Sequence, residues 1–223
     1  MAKTLFITGA SSGIGAETAR AAAKAGWNVA LMARSADTLD DLVSEIGEAA
    51  LAVPGDVTDR DAVGEAVRKT VGRFGGIDAA FANAGRGLKA TGSDGPDPDD
   101  VRGMIELNIM GLLHTVQHCL PELKKTKGTL VLTGSAAGRR HLPGSIYGAT
   151  KWFVHGYAGN MAEDMREWGG RCTVVAPGMV DTPFFDEGKP DKLKPEDVAE
   201  AVIYAITAPE RAAVREVFLM PQT

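Results

Sequence analysis

The sequence is poor in cysteine and has no long apolar run. Cys119 and Cys172 are its only cysteines; they lie far apart and form no C-x-x-C pair, which favours reduced, buried thiols over a disulfide framework. No stretch approaches 18 uncharged apolar residues, and the apolar run at residues 5–7 is too short for a secretory signal. We therefore expect a cytoplasmic protein that does not enter the membrane.

The sequence also lacks an excess of positive charge. It has 24 Lys+Arg against 29 Asp+Glu, a formal net charge of -5, which gives no electrostatic reason to bind nucleic acid or an anionic membrane. Hydrophobic residues make up 44% and charged residues 24%, as is usual for a globular domain, and 223 residues can enclose one sizeable core. Residues 1–223 are therefore predicted to form a single domain.

Apolar runs alternate with helix-period segments along almost the whole chain. The runs predict seven strands, at residues 4–8, 29–32, 51–53, 77–82, 129–133, 171–176 and 214–220. The segments between them predict six helices, near residues 13–26, 35–47, 63–71, 99–124, 145–168 and from 195 onward. The third of these is predicted to open at Thr58 and Asp61. This alternation favours an α/β fold, with a parallel sheet, helices on both faces and ligands at the carboxyl ends of the strands.

Three glycines follow the first predicted strand. Gly9, Gly13 and Gly15 are spaced G-x-x-x-G-x-G, which differs from the common G-x-G-x-x-G fingerprint. Glycines here allow a sharp turn and let a pyrophosphate approach the backbone, while the helix beginning near Gly13 directs its free N–H groups at that anion. The turn thus predicts a dinucleotide site; the alternative is a glycine-rich turn without a ligand.

The end of the second predicted strand carries a base rather than an acid. NAD-binding folds usually place a carboxylate there for the ribose 2′-hydroxyl, but this strand is followed by Arg34, and no acid appears before Asp37. A guanidinium suits a 2′-phosphate, so we expect NADPH to be preferred over NADH. The alternative is a solvated surface arginine, and the neutral Ser11 and Ser12 supply no second basic group.

Tyr147 and Lys151 lie four residues apart, and therefore on one face of a predicted helix. A tyrosine with a pKa of about 10 is a poor acid or base at neutral pH, and a nearby ammonium lowers that pKa. Ser135 follows the fifth predicted strand, where its hydroxyl can donate to a substrate carbonyl. Asn108, in the long helix, is by itself a tolerated polar residue.

Together these motifs resemble the short-chain dehydrogenase/reductase family over essentially the whole chain. The resemblance implies a doubly wound Rossmann-type three-layer sandwich, whose seven-stranded parallel sheet has the order 3-2-1-4-5-6-7. It also implies an NAD(P)-dependent oxidoreductase that interconverts a carbonyl and an alcohol by hydride transfer. In that reaction Tyr147 is the general acid, Ser135 polarises the carbonyl, and Lys151 holds the nicotinamide ribose and lowers the tyrosine pKa. Asn108 supports a water chain.

The resemblance also implies the cofactor contacts. Asp56 would bind the adenine amine, Asn83 the adenosine-side ribose, and Thr182 the nicotinamide carboxamide or a phosphate. The full set of predicted cofactor-binding residues is Gly9, Ser11, Ser12, Gly13, Ile14, Gly15, Arg34, Asp56, Val57, Asn83, Ala84, Gly85, Tyr147, Lys151, Pro177, Gly178, Val180 and Thr182.

Two loops are expected near the substrate. Residues 178–194 are predicted to form a lid, in which Phe184 and Phe185 contact an apolar substrate or dock the lid, and the mixed charges are solvated. Residues 139–141, with sequence Arg-Arg-His, favour an acidic or phosphorylated substrate or form a solvated loop. The substrate itself is a small-molecule carbonyl or alcohol that the sequence does not identify.

No metal site is predicted. His114 and His118 have zinc-ligand spacing, but no third ligand follows, so we expect them on a helix surface or a subunit interface. The predicted helices at 99–124 and 145–168 carry more small and apolar residues than one buried face needs, and family members pair the matching helices, which implies a homodimer or homotetramer.

Two other functions remain open from the sequence. A catalytically silent NADP(H)-binding sensor or scaffold can share the fold, although such proteins typically lack the tyrosine or lysine that this chain keeps. A sugar-nucleotide epimerase is disfavoured, because those chains are longer and carry G-x-x-G-x-x-G.

Overall fold

A computed structural model describes residues 2–90, 92, 94–185 and 187–222 of the chain. Its seven strands form one parallel sheet in the order β3-β2-β1-β4-β5-β6-β7, as predicted. Two strands have the predicted bounds, and the ends of the other five lie within two residues of the predicted ends. The strands are β1 (Thr4–Thr8), β2 (Asn28–Met32), β3 (Ala50–Ala52), β4 (Ala79–Ala82), β5 (Thr129–Thr133), β6 (Arg171–Pro177) and β7 (Glu216–Leu219).

Helices connect the strands. They are α1 (Gly13–Lys24), α2 (Ala36–Ile46), α3 (Arg60–Phe74), α4 (Pro98–Ile105), α5 (Leu112–Thr126), α6 (Ile146–Arg166) and α7 (Pro195–Thr207). Of the two residues predicted to open α3, Asp61 lies in its first turn, whereas Thr58 precedes the helix. Asp59 caps the helix instead, because its carboxylate accepts hydrogen bonds from the backbone N–H groups of Asp61 and Ala62.

The predicted helix at residues 99–124 is not one α-helix. A π-helical segment, Glu106–Gly111, separates α4 from α5. A π turn contains one more residue than an α turn and is frequent at functional sites. The hydrophobic pattern did not reveal it, because apolar residues lie on both sides of the insertion. Asn108 is buried within this segment.

Side chains of each strand alternate between two cores. Leu5 and Ile7 pack against α1, α2 and α7, whereas Phe6 packs against α3, α5 and α6, and all three are fully buried. Burying each such side chain stabilises the fold by roughly 1.5–3 kcal/mol. Cys119 and Cys172 are buried as predicted, and burial raises the pKa of both thiols, that of Cys172 to about 12.

The expectation that His114 and His118 lie on a surface was wrong for His114. Its ring is buried and its Nδ1 atom lies 3.1 Å from the Val57 carbonyl oxygen. His118 is half-buried against Gly64 of α3, since α3 covers this side of α5. The described residues contain no group of three or more His, Cys, Asp or Glu that could hold a metal ion.

The strand order places a crevice between β1 and β4. From β1 the chain proceeds outward to β2 and β3 and then returns to β4 on the other side, which is the topological switch point where α/β sheets bind ligands. Within the described part of the chain, no helix is both long and apolar enough to span a bilayer.

Candidate active site

The turn after β1 needs its glycines. Gly9 and Gly13 have φ angles of +66° and +52°, a left-handed conformation that side chains disfavour. At Gly15 a Cβ atom would lie 2.2 Å from the Gly9 carbonyl oxygen, closer than any real contact. The missing Cβ of Gly13 faces Thr182, whose Cγ2 would lie 3.1 Å away. The turn is therefore an open, backbone-lined cradle beside Thr182, suited to a pyrophosphate.

Asn83 braces this turn from the end of β4. Its Nδ2 donates to the carbonyl oxygens of Thr8 (3.1 Å) and Gly9 (3.3 Å). Its Oδ1 accepts from the Thr133 hydroxyl at 3.2 Å, and its backbone N–H donates to the Thr8 hydroxyl at 3.1 Å. The side chain thus joins the ends of β1, β4 and β5. The predicted ribose contact of Asn83 stays a prediction, and both polar atoms of the side chain already bind the protein.

The residues predicted for the adenosine half lie along the same edge. Arg34 follows β2, is exposed, and makes no hydrogen bond or ion pair with the rest of the chain as far as it is described. Asp56 follows β3, and its Oδ1 accepts from both the backbone N–H and the hydroxyl of Thr58, each at 2.9 Å. Val57 is buried beside it.

Ser135, Tyr147 and Lys151 meet at the carboxyl end of β5. Ser135 opens a short 3-10 turn, Ala136–Gly138, and Tyr147 and Lys151 lie in the first two turns of α6. The Lys151 ammonium donates to the Thr133 carbonyl oxygen at 2.8 Å and lies 5.7 Å from the centre of the Tyr147 ring. The structure therefore brings together three of the four predicted catalytic residues directly.

Burial controls the ionisation of this group. It raises the pKa of Tyr147 to about 12, against an opposing hydrogen bond with Ser135, and it lowers the pKa of Lys151 to about 8. The expected lowering of the tyrosine pKa by Lys151 is not found here, because desolvation by burial dominates and only the hydrogen bond with Ser135 opposes it. Tyr147 consequently holds its proton at neutral pH, as a proton donor must.

Asn108, the fourth predicted catalytic residue, clamps the loop after β4. Its Oδ1 accepts from the Arg86 backbone N–H and its Nδ2 donates to the Arg86 carbonyl oxygen, both at 2.9 Å. Nδ2 also lies 3.3 Å from the Thr150 hydroxyl in α6. The side chain thereby links the π-helical segment to the loop and to the helix that carries Tyr147.

The other predicted cofactor residues occupy the carboxyl ends of β1, β4 and β6. Ser12 occupies the N-cap position of α1 without a side-chain hydrogen bond, the Ala84 N–H donates to the Thr8 hydroxyl at 3.3 Å, and the Gly178 N–H donates to the Leu219 carbonyl oxygen at 2.8 Å. The remaining members of these three segments are Ser11, Ile14, Gly85, Pro177 and Val180.

The predicted lid is a loop closed at its base. A bridge pairs Val180 with Leu193, and the Asp181 carboxylate accepts from the Lys189 backbone N–H (2.7 Å) and the Lys194 ammonium (2.8 Å). Lys194 is therefore ion-paired rather than merely solvated. The base hydrogen bonds explain why the pKa of Asp181 is lowered. Asp186 lies outside the described residues.

Phe184 of the lid reaches the catalytic group. Its ring centre lies 5.7 Å from that of Tyr147 and 5.2 Å from that of Phe185. Gly87 leaves room for it, since a Cβ there would lie 3.3 Å from the Phe184 ring. An aromatic ring thus forms one wall beside the tyrosine.

Two of the three residues 139–141 contact other parts of the protein. The Arg139 guanidinium lies 4.5 Å from the centre of the Phe218 ring and its Nε lies 3.5 Å from a Glu216 oxygen. The His141 ring stacks on Trp152 at 5.3 Å. Both side chains are therefore held by partners on β7 and α6, and Arg140 is exposed.

Sequence reasoning missed His155, whose ring contacts the backbone of Ser135. The Ser135 N–H donates to His155 Nε2 at 3.4 Å. Helical spacing contained the signal, because Tyr147, Lys151 and His155 succeed one another at intervals of four on the same face of α6. Thr133, which contacts both Asn83 and Lys151, was also missed.

Comparison with known proteins points to one family. Residues 3–193 match the family model described as short chain dehydrogenase. An uncharacterized oxidoreductase of Staphylococcus aureus is 35% identical over 225 residues, covering 98% of this chain and 97% of the relative.

Two solved structures share the fold along nearly the full length. An alcohol dehydrogenase from the archaeon Thermococcus sibiricus, complexed with 5-hydroxy-NADP, is 31% identical with a TM-score of 0.92, covering 100% of this chain and 97% of that one. A 3-ketoacyl-(acyl-carrier-protein) reductase from Brucella melitensis, complexed with NADH, is 26% identical with a TM-score of 0.89, covering 97% and 96%.

Proposed function

Since the chain belongs to the short-chain dehydrogenase family of oxidoreductases, we propose that it is an NADP(H)-dependent enzyme that interconverts a small-molecule carbonyl and an alcohol. The observation that carries the proposal is the juxtaposition of Ser135, Tyr147 and Lys151 beside the glycine cradle. A nicotinamide dinucleotide fits the residues present: the cradle takes a pyrophosphate, and the catalytic group lies at the same sheet edge.

The proposed roles follow from the site's geometry and ionisation. The bound nicotinamide would supply or accept the hydride at the carbonyl carbon. Tyr147 keeps its proton at neutral pH and can donate it to the substrate oxygen, toward which Ser135 also directs its hydroxyl. Lys151, anchored on the Thr133 carbonyl, is placed to hold a ribose hydroxyl and to stabilise a tyrosinate by its charge. Asn108 fixes the loop that faces these groups.

We propose that Arg34 selects NADPH. Its guanidinium has no ionic partner among the described residues and lies directly after β2, where a 2′-phosphate would be recognised. Arg34→Ala should weaken NADPH by about tenfold to 100-fold, the value of a charge-assisted hydrogen bond, and leave NADH unchanged. The measurement is cofactor affinity by fluorescence titration; equal losses for both cofactors would contradict the assignment.

The decisive test of the enzyme assignment follows the nicotinamide absorbance, as NADPH consumption with carbonyl substrates and as NADPH formation from NADP+ with alcohol substrates. The panel includes aldehydes, ketones, diketones, quinones and keto acids, together with 3-ketoacyl thioesters and 3-hydroxy amino acids in the oxidative direction. Tyr147→Phe, which keeps the ring against Phe184 and removes only the hydroxyl, should abolish turnover and retain cofactor affinity. Retained turnover would refute the role of Tyr147. Tight NADPH binding without turnover on any substrate would favour the sensor or scaffold.

We further propose one domain over residues 1–223 with residues 178–194 as its lid, located in the cytoplasm. A homodimer or homotetramer is supported by exposed apolar side chains on α4, the π-helical segment and α6, namely Ile105, Met110, Trp152 and Phe153. Gly156 and Gly159 add open, side-chain-free backbone to this surface of α6.

A further inference from the structure

His155 lies directly beneath the turn that carries Ser135. Glycines at both ends of the turn make room for its ring: a Cβ on Gly134 would lie 2.6 Å from Nε2, and a Cβ on Gly138 would lie 2.7 Å from Cδ2. Any side chain at either position would displace the imidazole. The turn and the histidine are therefore complementary in shape.

The imidazole also contacts the turn through a polar atom. The Ser135 backbone N–H donates to Nε2 at 3.4 Å, which requires a lone pair on that nitrogen and hence a proton on Nδ1. Nδ1 faces the Glu216 carboxylate at 3.7 Å, from the first residue of β7. A chain of three groups thus runs from Glu216 through His155 to the backbone of Ser135.

Three charged groups face this ring. They are Glu216 of β7, Arg139 of the loop after the 3-10 turn, and Lys151 one turn earlier on α6. Burial lowers the pKa of His155, Glu216 opposes that shift, and the two cations add to it. The side chain is only 14% exposed, and its neutral form is the one present at neutral pH.

We propose that His155 is a positioning residue, whose neutral imidazole holds the Ser135 backbone so that the serine hydroxyl meets the substrate carbonyl. An imidazolium has no acceptor left for the Ser135 N–H and is drawn toward Glu216 instead. Protonation therefore loosens the serine turn. This inference rests on the proposed function and adds to it a pH-dependent control of one catalytic group.

The expected pH dependence has a definite sign. Because the pKa of His155 lies below its ordinary value of 6.5, activity should be constant near neutrality and fall as the pH decreases through that lower value. Glu216→Gln removes the group that raises this pKa, so it should move the acid decline to still lower pH. Both effects should appear in kcat, with cofactor affinity unchanged.

Two substitutions separate positioning from packing. His155→Gln keeps an acceptor but has no proton to gain, so it should retain kcat within about twofold at pH 7.5 and lose the acid decline. His155→Leu fills the space without an acceptor and should lower kcat about fivefold, the value of one hydrogen bond. His118→Gln, at a half-buried histidine between α3 and α5 with a similarly lowered pKa, is the matched control and should leave the acid decline in place.

A readout independent of turnover tests the inference by itself. In protein labelled with 15N-serine, the Ser135 amide resonance, assigned by its loss in Ser135→Ala, should shift between pH 5 and 7 in the wild type and not in His155→Gln. An amide that does not shift in the wild type, or an acid decline that persists in His155→Gln, would overturn the inference. If no substrate is turned over, the proposed enzyme function fails while the amide titration still decides the contact.

Discussion

Two roles are open to Asn83 at the end of β4: its side chain braces the protein, or it contacts the ribose directly. The side chain makes three hydrogen bonds that tie β1, β4 and β5 together, to Thr8, Gly9 and Thr133. Each such bond contributes about 1 kcal/mol, so Asn83→Ala should destabilise the fold by about 2–3 kcal/mol. For a chain of this size, that corresponds to a fall in Tm of about 5–10 °C.

The isosteric change sharpens the prediction. In Asn83→Asp the carboxylate has no N–H to donate, and it faces the carbonyl oxygens of Thr8 and Gly9. Asn83→Asp should therefore be at least as destabilising as Asn83→Ala, although it preserves volume. Thr133→Val removes only the third bond and leaves the turn untouched, so it should cost about 1 kcal/mol without changing cofactor affinity.

The assay is thermal unfolding without cofactor, followed by NADPH titration of the same variants. If the Asn83 side chain braces the turn after β1, the free energy of unfolding and the NADPH affinity should both fall in the two Asn83 variants, because a loosened turn no longer presents its backbone to the pyrophosphate. A Tm for Asn83→Ala within about 1 °C of wild type, together with weakened NADPH binding, would refute the brace and favour a direct side-chain contact to the ribose.

Three further predictions follow from other parts of the site. Phe184→Ala should raise KM for aryl ketones more than for small aliphatic ketones in a steady-state comparison, because it removes the aromatic wall beside Tyr147; a uniform change across substrates would contradict this. Lys151→Met should increase the free energy of unfolding at pH 7 by about 2 kcal/mol. Removing a lysine whose pKa is about 8 instead of 10.5 relieves about 3 kcal/mol, and the loss of one hydrogen bond offsets part of this gain. The unfolded chain binds more protons than the native one between pH 8 and 10.5, so the free energy of unfolding of the wild type rises over this range. Urea unfolding should therefore show a smaller difference between Lys151→Met and the wild type as the pH increases. Light scattering at micromolar concentration should give a dimeric or tetrameric mass, and Trp152→Glu should lower it; a monomeric wild type would sink the prediction.

The sequence was most informative where local chemistry repeats. Alternating apolar runs and helical periods were enough for a parallel sheet with helices on both faces, because β1, β2, β4, β5 and β6 are almost entirely buried. The strand order followed from the resemblance to the family. The glycines of the first turn could also be interpreted from the sequence, because the backbone contact at Gly15 leaves no space for a Cβ atom.

Hydrogen bonds between residues far apart in the sequence could not be predicted from local patterns. Asn83 was assigned to a ribose, since nothing in the local sequence shows that two carbonyl oxygens from β1 lie within reach of its amide. The sequence pattern did not predict the π turn around Asn108, because an extra residue in a helix leaves the composition unchanged. The pKa of Tyr147 was expected to fall from charge alone, whereas its value depends on burial, which only packing determines.

The closed base of the predicted lid allows the segment between its two ends to vary without a change in the sheet. Since Val180 pairs with Leu193 and Asp181 binds both Lys189 and Lys194, the two ends of the segment are fixed whatever lies between them. Extending such a loop costs little, because closure entropy grows only with the logarithm of its length. We therefore expect that residues 183–188 can be exchanged for other segments, which would change the wall beside Tyr147 and leave Thr182 and the glycine turn in place.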